Sequence, residues 1–143
     1  SAVAADRTSP SGIFSYVVAA RAALWAGNLA GAVEALEGLE ERNLYGPWID
    51  RSRNTLRAGI LALEGSRDEA TALFLSASKA WREMEAPFDL ALSQLDFVTL
   101  IESDDPDRQA AAEEARDIFT KLGAKPFLAR LDTAVKAPET TPV

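Results

Sequence analysis

The sequence contains no cysteine and no histidine, and these two absences exclude the most familiar catalytic chemistries. Without cysteine the chain forms no disulfide and has no thiolate to attack a substrate or bind a metal. Without histidine it lacks the commonest general acid–base group and the serine–histidine and cysteine–histidine nucleophile systems. It also has no glycine-rich phosphate-binding loop. We therefore predict a domain that is not an enzyme and has no catalytic residue, cofactor site or metal site.

The chain also lacks an excess of basic residues and any long apolar run. Its formal net charge is −7 over 143 residues, so it has no general attraction for nucleic acid or for anionic membranes. The apolar runs are too short to form a transmembrane helix, and no signal peptide is recognisable. We expect a cytoplasmic domain that binds neither nucleic acid nor membrane.

Helix-forming signals are abundant instead. Alanine is frequent and β-branched residues are sparse, which favours helix over strand. Apolar periodicity and helix-boundary signals predict an all-α fold of about seven helices. Because the connections are short, neighbouring helices should be antiparallel, and the helix pairs should stack as an array. The predicted helices span residues 13–26, 29–42, 47–63, 67–84, 87–101, 106–122 and 126–135.

The two ends of the chain differ in composition from the middle. Residues 1–12 are small and polar, and we interpret them as a disordered linker or a cloning scar. The repeat domain is predicted over residues 13–136, and the proline-containing tail, residues 137–143, is predicted to be disordered. Because the chain begins with Ser1 rather than methionine, we expect it to be a segment of a longer protein.

A repeat of about 40 residues is marked in two registers. In the first, a proline followed by an aromatic residue opens a helix at Pro47-Trp48, Pro87-Phe88 and Pro126-Phe127. In the second, a turn residue that must tolerate a left-handed conformation precedes an alanine by five positions. These pairs are Gly27 and Ala32, Gly65 and Ala70, and Asp105 and Ala110. The small alanine allows two helices to touch, and Gly38 inside the second helix is predicted to have the same purpose.

These features resemble the tetratricopeptide repeat, whose helix-turn-helix unit has the same order of turn glycine, alanine and opening proline. The resemblance covers residues 13–136 and implies an α-solenoid whose concave groove is lined by the first helix of each unit. In addition, the run ARDIFTKLGA at residues 115–124 is similar to the end of the helical-repeat region in bacterial multidomain signalling proteins. Those proteins are adenylate or guanylate cyclases and regulators of the LuxR and MalT type.

Candidate binding residues concentrate on the third helix. Arg51, Arg53, Asn54 and Arg57 place positive charge and hydrogen-bond donors on one helix of an acidic chain. On a groove-lining helix, this cluster could bind a carboxylate or phosphate of a peptide. The alternative is a solvated outer face whose arginines pair with Asp50 or Glu64. Weaker candidates on the corresponding helices of the other units are Arg21, Ser93 and Gln94.

The remaining polar and aromatic clusters are interpreted as structural. A calcium loop that began at Asp105 would need glycine and glutamate where Ala110 and Arg116 stand, so the neighbouring aspartates are predicted to cap the sixth helix. A solvated helix face is predicted for the acidic group Glu102, Glu113, Glu114 and Asp117. A place in the core is predicted for Trp25, Trp48 and Trp81.

The sequence thus predicts a non-catalytic interaction or regulatory domain of a larger bacterial signalling protein. Its partner would be a protein or peptide, including another domain of the same chain, held in the concave groove. Two alternatives stay open: a sensor domain that holds a small-molecule effector between its helices, and a homo-oligomerisation module such as a homodimer.

Overall fold

The computed structural model describes residues 10–136, which form seven helices and no strand. The helices are α1 Pro10–Trp25, α2 Leu29–Glu40, α3 Pro47–Leu63, α4 Arg67–Glu83, α5 Pro87–Leu100, α6 Pro106–Leu122 and α7 Lys125–Lys136. The predicted all-α class is confirmed. Residues 1–9 of the predicted linker and the predicted tail, 137–143, lie outside the described residues. No helix in the described part of the chain has the length and apolar character needed to cross a membrane.

The chain divides into two compact units, the first ending at Ala70 and the second beginning at Thr71, inside α4. In the first unit α1 and α2 pack as a pair, and α3 contacts both. In the second unit α5 and α6 pack as a pair, and α7 contacts both. Because the connections within these pairs are short, the paired helices are antiparallel, as the sequence predicted.

Several helix boundaries differ from the prediction, most of them by one residue. Helix α1 begins at Pro10 rather than Ile13, because a proline in the first helical position loses no hydrogen bond and has the backbone angle that the helix needs. The predicted linker therefore extends too far by three residues. Helix α2 ends earlier than predicted, at Glu40, and α7 begins one residue earlier, at Lys125.

Only part of the apolar surface of α1 is buried. Val17, Ala20 and Leu24 form its buried line, whereas Phe14 and Val18 are exposed. The helix is apolar nearly all round and has a single charged residue in its sequence, so its periodicity does not single out one inward face.

Two of the three opening prolines begin their helices as predicted, whereas Pro126 is the second residue of α7. Pro47 and Pro87 occupy the first positions of α3 and α5. Trp48 stacks on Phe14 with their ring centroids 6.2 Å apart. The aromatic neighbour of a helix-opening proline thus packs against another helix.

Two of the three turn-and-alanine pairs are confirmed. Gly27 and Gly65 have left-handed backbone angles, with φ values of +73° and +88°. Ala32 and Ala70 are fully buried. The glycine therefore reverses the chain, and the alanine one turn into the next helix permits close packing.

The prediction for the third turn-and-alanine pair, Asp105 and Ala110, is wrong. Asp105 has a φ of −59°, and its side chain accepts a hydrogen bond from the backbone nitrogen of Asp107 at 2.8 Å. Asp105 is thus itself the N-cap, whereas Gly27 is followed by a separate cap, Asn28. Helix α6 therefore begins one residue after its turn residue Asp105, whereas α2 begins two residues after Gly27. One residue corresponds to about 100° around a helix, so Ala110 lies on the exposed side.

Gly38 allows the predicted close approach of α1 and α2. A Cβ atom at this position would lie 2.6 Å from Cε1 of Tyr16. The Tyr16 ring is held in place by Arg42, whose Nη2 donates to the tyrosine hydroxyl at 2.6 Å. The helix interior therefore contains glycine despite its cost of about 1 kcal/mol relative to alanine.

Candidate binding clefts

Each unit contains an open cleft, and the first includes two of the predicted arginines. This arginine cleft has a volume of about 260 Å³ and is lined by Glu40, Asn43, Tyr45, Arg53 and Arg57. The two arginines lie one turn apart on α3 and therefore share a face. The other three residues come from the end of α2 and the connection to α3.

The connection between α2 and α3 presents Tyr45 to solvent. Asn43 has a left-handed φ of +57°, a conformation that asparagine tolerates better than most residues. Its side-chain oxygen accepts a hydrogen bond from the Tyr45 hydroxyl at 2.9 Å. The tyrosine remains 75% exposed, so its ring is available to a partner at the edge of the cleft.

Arg53 is the fixed arginine of the cleft. Its side chain is only 12% exposed and pairs with Asp50 at 3.2 Å, as one of the two sequence interpretations predicted. A second nitrogen donates to the backbone oxygen of Leu44 at 3.1 Å. Arg53 therefore ties the α2–α3 connection to α3, and its main role in the isolated domain is structural.

Arg57 is the available arginine of the cleft. It pairs with Glu40 at 3.2 Å rather than with the predicted Glu64, and its side chain is 46% exposed. Ion pairs of this exposure contribute about 0–1 kcal/mol. Arg57 can therefore exchange Glu40 for the carboxylate or phosphate of a ligand at little cost.

The other predicted basic and amide residues do not join this cleft. Arg51 donates to the backbone oxygen of Pro47 at 3.2 Å. Asn54 is exposed elsewhere on α3, and Arg21 is half-buried on α1. The structure thus brings together two members of the predicted cluster and leaves the others outside the cleft.

Ser93 and Gln94 are buried, which contradicts their prediction as groove-surface residues. Every residue from Leu90 to Val98 is buried, because the apolar residues of α5 cover all sides of the helix rather than one. Gln94 is only 2% exposed. It borders a second cleft, the α4–α6 cleft of about 140 Å³, whose walls include Leu75, Arg82, Phe97, Asp107, Ala110 and Glu114.

Glu114 is held by two donors while its side chain stays 37% exposed, so the prediction of a solvated face holds for it only in part. Arg82 donates to both carboxylate oxygens, at 2.7 and 3.4 Å. Gln94 donates its amide to one of them. The hydrogen bond from Arg82 lowers the pKa of Glu114, burial opposes this effect, and the bond from Gln94 adds to it. In the sequence, the position of the polar Gln94 within the apolar run of α5 indicated that this side chain needs a polar partner.

We expect the replacement Glu114→Gln to destabilise the protein more at neutral pH than in acid. A carboxyl group whose pKa is lowered by folding contributes stability above its unfolded pKa and loses it as the pH falls through the folded pKa. Urea unfolding of both proteins over a pH series measures the difference. The exposed neighbour provides the control Glu113→Gln. A difference between wild type and Glu114→Gln that stays constant from neutral pH to strong acid would contradict this account.

Asp105 caps α6, as predicted for the aspartates at this position. Nowhere in residues 10–136 do three or more acidic side chains come together in a group that could hold a metal ion. Of the three tryptophans, Trp81 is fully buried as predicted. Trp25 and Trp48 are half-buried, so the core prediction holds for them only in part.

The chain was compared with protein families, curated proteins and solved structures. No family model matches it, and no curated protein or solved structure matches it significantly. The resemblances to tetratricopeptide repeats and to bacterial signalling proteins therefore stay predictions.

Proposed function

We propose that this domain is a non-catalytic binding module whose arginine cleft holds an acidic segment of a protein or peptide partner. The observation that carries the proposal is the position of Arg57. Its guanidinium lies half-exposed in an open cleft, beside the exposed Tyr45, and within residues 10–136 its one ion-pair partner is the half-exposed Glu40.

The residues that line the arginine cleft determine which ligand groups it can bind. A guanidinium offers a planar set of donors that matches a carboxylate or phosphate, and such charge-assisted bonds are stronger than neutral ones. A ligand carboxylate would displace Glu40 from Arg57, so one ion pair replaces another and the net gain is small. The ring of Tyr45 would add apolar contact to the neighbouring part of the ligand. Binding of this kind is weak and reversible, which suits a regulatory domain.

We also propose that this domain belongs to a larger bacterial signalling protein. This part of the proposal is supported by the similarity of residues 115–124 to the end of the helical-repeat region in such proteins. The acidic segment could then belong to another domain of that protein. The open shape of the arginine cleft supports a peptide ligand over a small-molecule effector, which would be expected to occupy an enclosed cavity.

We expect opposite effects from two substitutions at the cleft. Arg57→Glu replaces the donor by a carboxylate that repels the ligand, and it should weaken binding of an acidic peptide at least about tenfold, or about 1.4 kcal/mol. Glu40→Gln removes the competing carboxylate and should strengthen binding. The probe is a labelled glycine–serine peptide with a central glutamate and blocked ends, measured by fluorescence anisotropy.

The matched control is Arg51→Glu, which makes the same charge change on the same helix outside the cleft. It should change binding much less than Arg57→Glu. The same peptide with glutamine at the centre should bind weakly to every variant. Equal losses in Arg51→Glu and Arg57→Glu would show that net charge, and not the cleft, determines binding.

Self-association is a second candidate function, favoured by the exposed apolar residues Phe14 and Val18 on α1. Exposed apolar side chains at helical spacing are common where proteins associate. Light scattering over a range of protein concentrations tests this candidate, and a constant mass of one chain would count against it.

A further inference from the structure

The α4–α6 cleft has two walls with helical spacing. Leu75 and Arg82 lie two turns apart on α4, and Asp107 and Glu114 lie two turns apart on α6. Between the acidic residues of α6, the small side chain of Ala110 is exposed. The cleft is therefore a short trough with an alanine in one wall and a charged residue at each end of that wall.

One end of this trough is closed by three polar side chains that bond to one another. Arg82 and Glu114 form an ion pair at 2.7 Å across it. Gln94 donates to the same carboxylate. Because a carboxylate only accepts hydrogen bonds, the Gln94 amide nitrogen must face Glu114, and its oxygen must point away. That buried oxygen has no hydrogen-bond partner among the described residues.

The other end of the trough is open and negatively charged. The Asp107 carboxylate makes no ion pair or hydrogen bond with another described residue, whereas its backbone nitrogen is bonded to Asp105. Two further carboxylates, Glu102 and Asp104, belong to the adjoining α5–α6 connection. The neighbouring cation, Arg108, is buried and donates to backbone oxygens of α5 and its C-cap. The negative charge at this end is therefore not offset by an exposed basic residue of the same segment.

We infer that the α4–α6 cleft binds a basic segment of a partner protein. A lysine or arginine of that segment would pair with Asp107, and its aliphatic stem would pack against Leu75 and Ala110. Long basic side chains bury their methylene stem on apolar surface while the charged head stays at the edge. The exposed group without a partner among the described residues of this cleft is the Asp107 carboxylate, an acceptor, so the ligand must supply a donor.

Charge complementarity supports this occupant over an acidic or purely apolar one. The cleft contains two carboxylates and one guanidinium, and the whole chain has a net charge of −7. Complementary charge accelerates the encounter of two proteins and favours the correct partner. This site is distinct from the arginine cleft, takes ligands of opposite sign and does not depend on the function proposed above.

The test uses a labelled peptide with blocked ends in which one lysine, preceded by leucine, is flanked by glycine and serine. Three versions contain lysine, arginine or acetyl-lysine at the central position. We expect the lysine and arginine peptides to bind the wild-type protein and the acetyl-lysine peptide to bind much more weakly. Acetylation keeps the stem and removes the charge, so equal binding of all three would overturn the inference. So would a failure of the lysine and arginine peptides to bind.

Two protein variants locate the site. Asp107→Asn should weaken binding of the lysine peptide about fivefold, the upper range for an exposed ion pair. Glu113→Gln removes the same charge from a residue of α6 that does not line the cleft, and it should have little effect. Ala110→Leu should also weaken binding because the added side chain fills the trough. Circular dichroism checks that each variant is folded. Equal effects of Asp107→Asn and Glu113→Gln, or full binding by Ala110→Leu, would overturn the inference.

An acidic peptide serves as the reference ligand for these variants. Its binding depends on Arg57 and should be unchanged by Asp107→Asn. Loss of the basic ligand alone therefore reports on the α4–α6 cleft, and loss of the acidic ligand alone reports on the arginine cleft.

Discussion

Replacement of Phe119 by alanine is expected to lower the free energy of unfolding by about 4 kcal/mol, within the range for buried aromatic residues. Phe119 is completely buried in α6. Its ring stacks on Phe127 of α7 with the centroids 5.4 Å apart and meets Phe88 of α5 edge-on at 6.3 Å. Because three helices each contribute one ring, the cavity left by alanine cannot close without moving a helix.

Chemical denaturation followed by circular dichroism measures this loss. The conservative variant Phe119→Leu keeps most of the buried volume and should cost less than about 1.5 kcal/mol. A loss below about 1 kcal/mol for Phe119→Ala, a typical value for an arbitrary substitution, would show that the three rings do not form a shared core.

The replacement Arg108→Met should destabilise the protein by about 3 kcal/mol, because a buried charge-assisted network loses its donor. The guanidinium of Arg108 donates to the backbone oxygen of Val98 at 2.7 Å and to that of Ile101. These oxygens lie at the C-terminal end of α5, where backbone acceptors have no partner within the helix. Methionine fills a similar volume but leaves both oxygens without a donor.

Arg108 remains charged in this buried position. Burial lowers its pKa, and the nearby charges of Glu102 and Asp104 oppose that effect. Since an arginine guanidinium does not lose its proton in proteins, the expected loss should not depend on pH in the neutral range. Arg108→Lys should be more stable than Arg108→Met because it keeps a charged donor. It should be less stable than wild type, because one ammonium group cannot reproduce the two-pronged geometry of the guanidinium.

The control for Arg108 is a second arginine on the same helix. Arg116 is half-exposed and pairs with Asp132 at 2.6 Å. The change Arg116→Met should cost no more than about 1 kcal/mol, as for other exposed ion pairs. If both arginine variants lost the same stability in urea unfolding, the role assigned to Arg108 would be wrong.

The parts of the fold that local chemistry determines could be predicted from the sequence. Pro47 and Pro87 open helices because their fixed backbone angle suits the first turn. Gly123 ends α6 with a φ of +68°, a conformation that glycine adopts without strain. The third turn-and-alanine pair failed for an equally local reason, since Asp105 caps the helix instead of preceding the cap.

The parts that depend on contacts between distant residues could not be predicted. The pairing of Arg57 with Glu40 requires these two side chains to face each other across α2 and α3, which the spacing along the chain does not show. An arginine in an acidic stretch normally indicates exposure, so Arg108 gave no sign of its burial. The burial of Gln94 could have been anticipated, because apolar residues occupy every side of α5.

The most direct test of the arginine cleft is a nuclear magnetic resonance titration of the labelled protein with the glutamate peptide. The account predicts that the largest amide shifts fall on residues 40–57 and disappear in Arg57→Glu. Shifts of the same size and position in wild type and Arg57→Glu, or shifts concentrated outside residues 40–57, would contradict the proposed binding site.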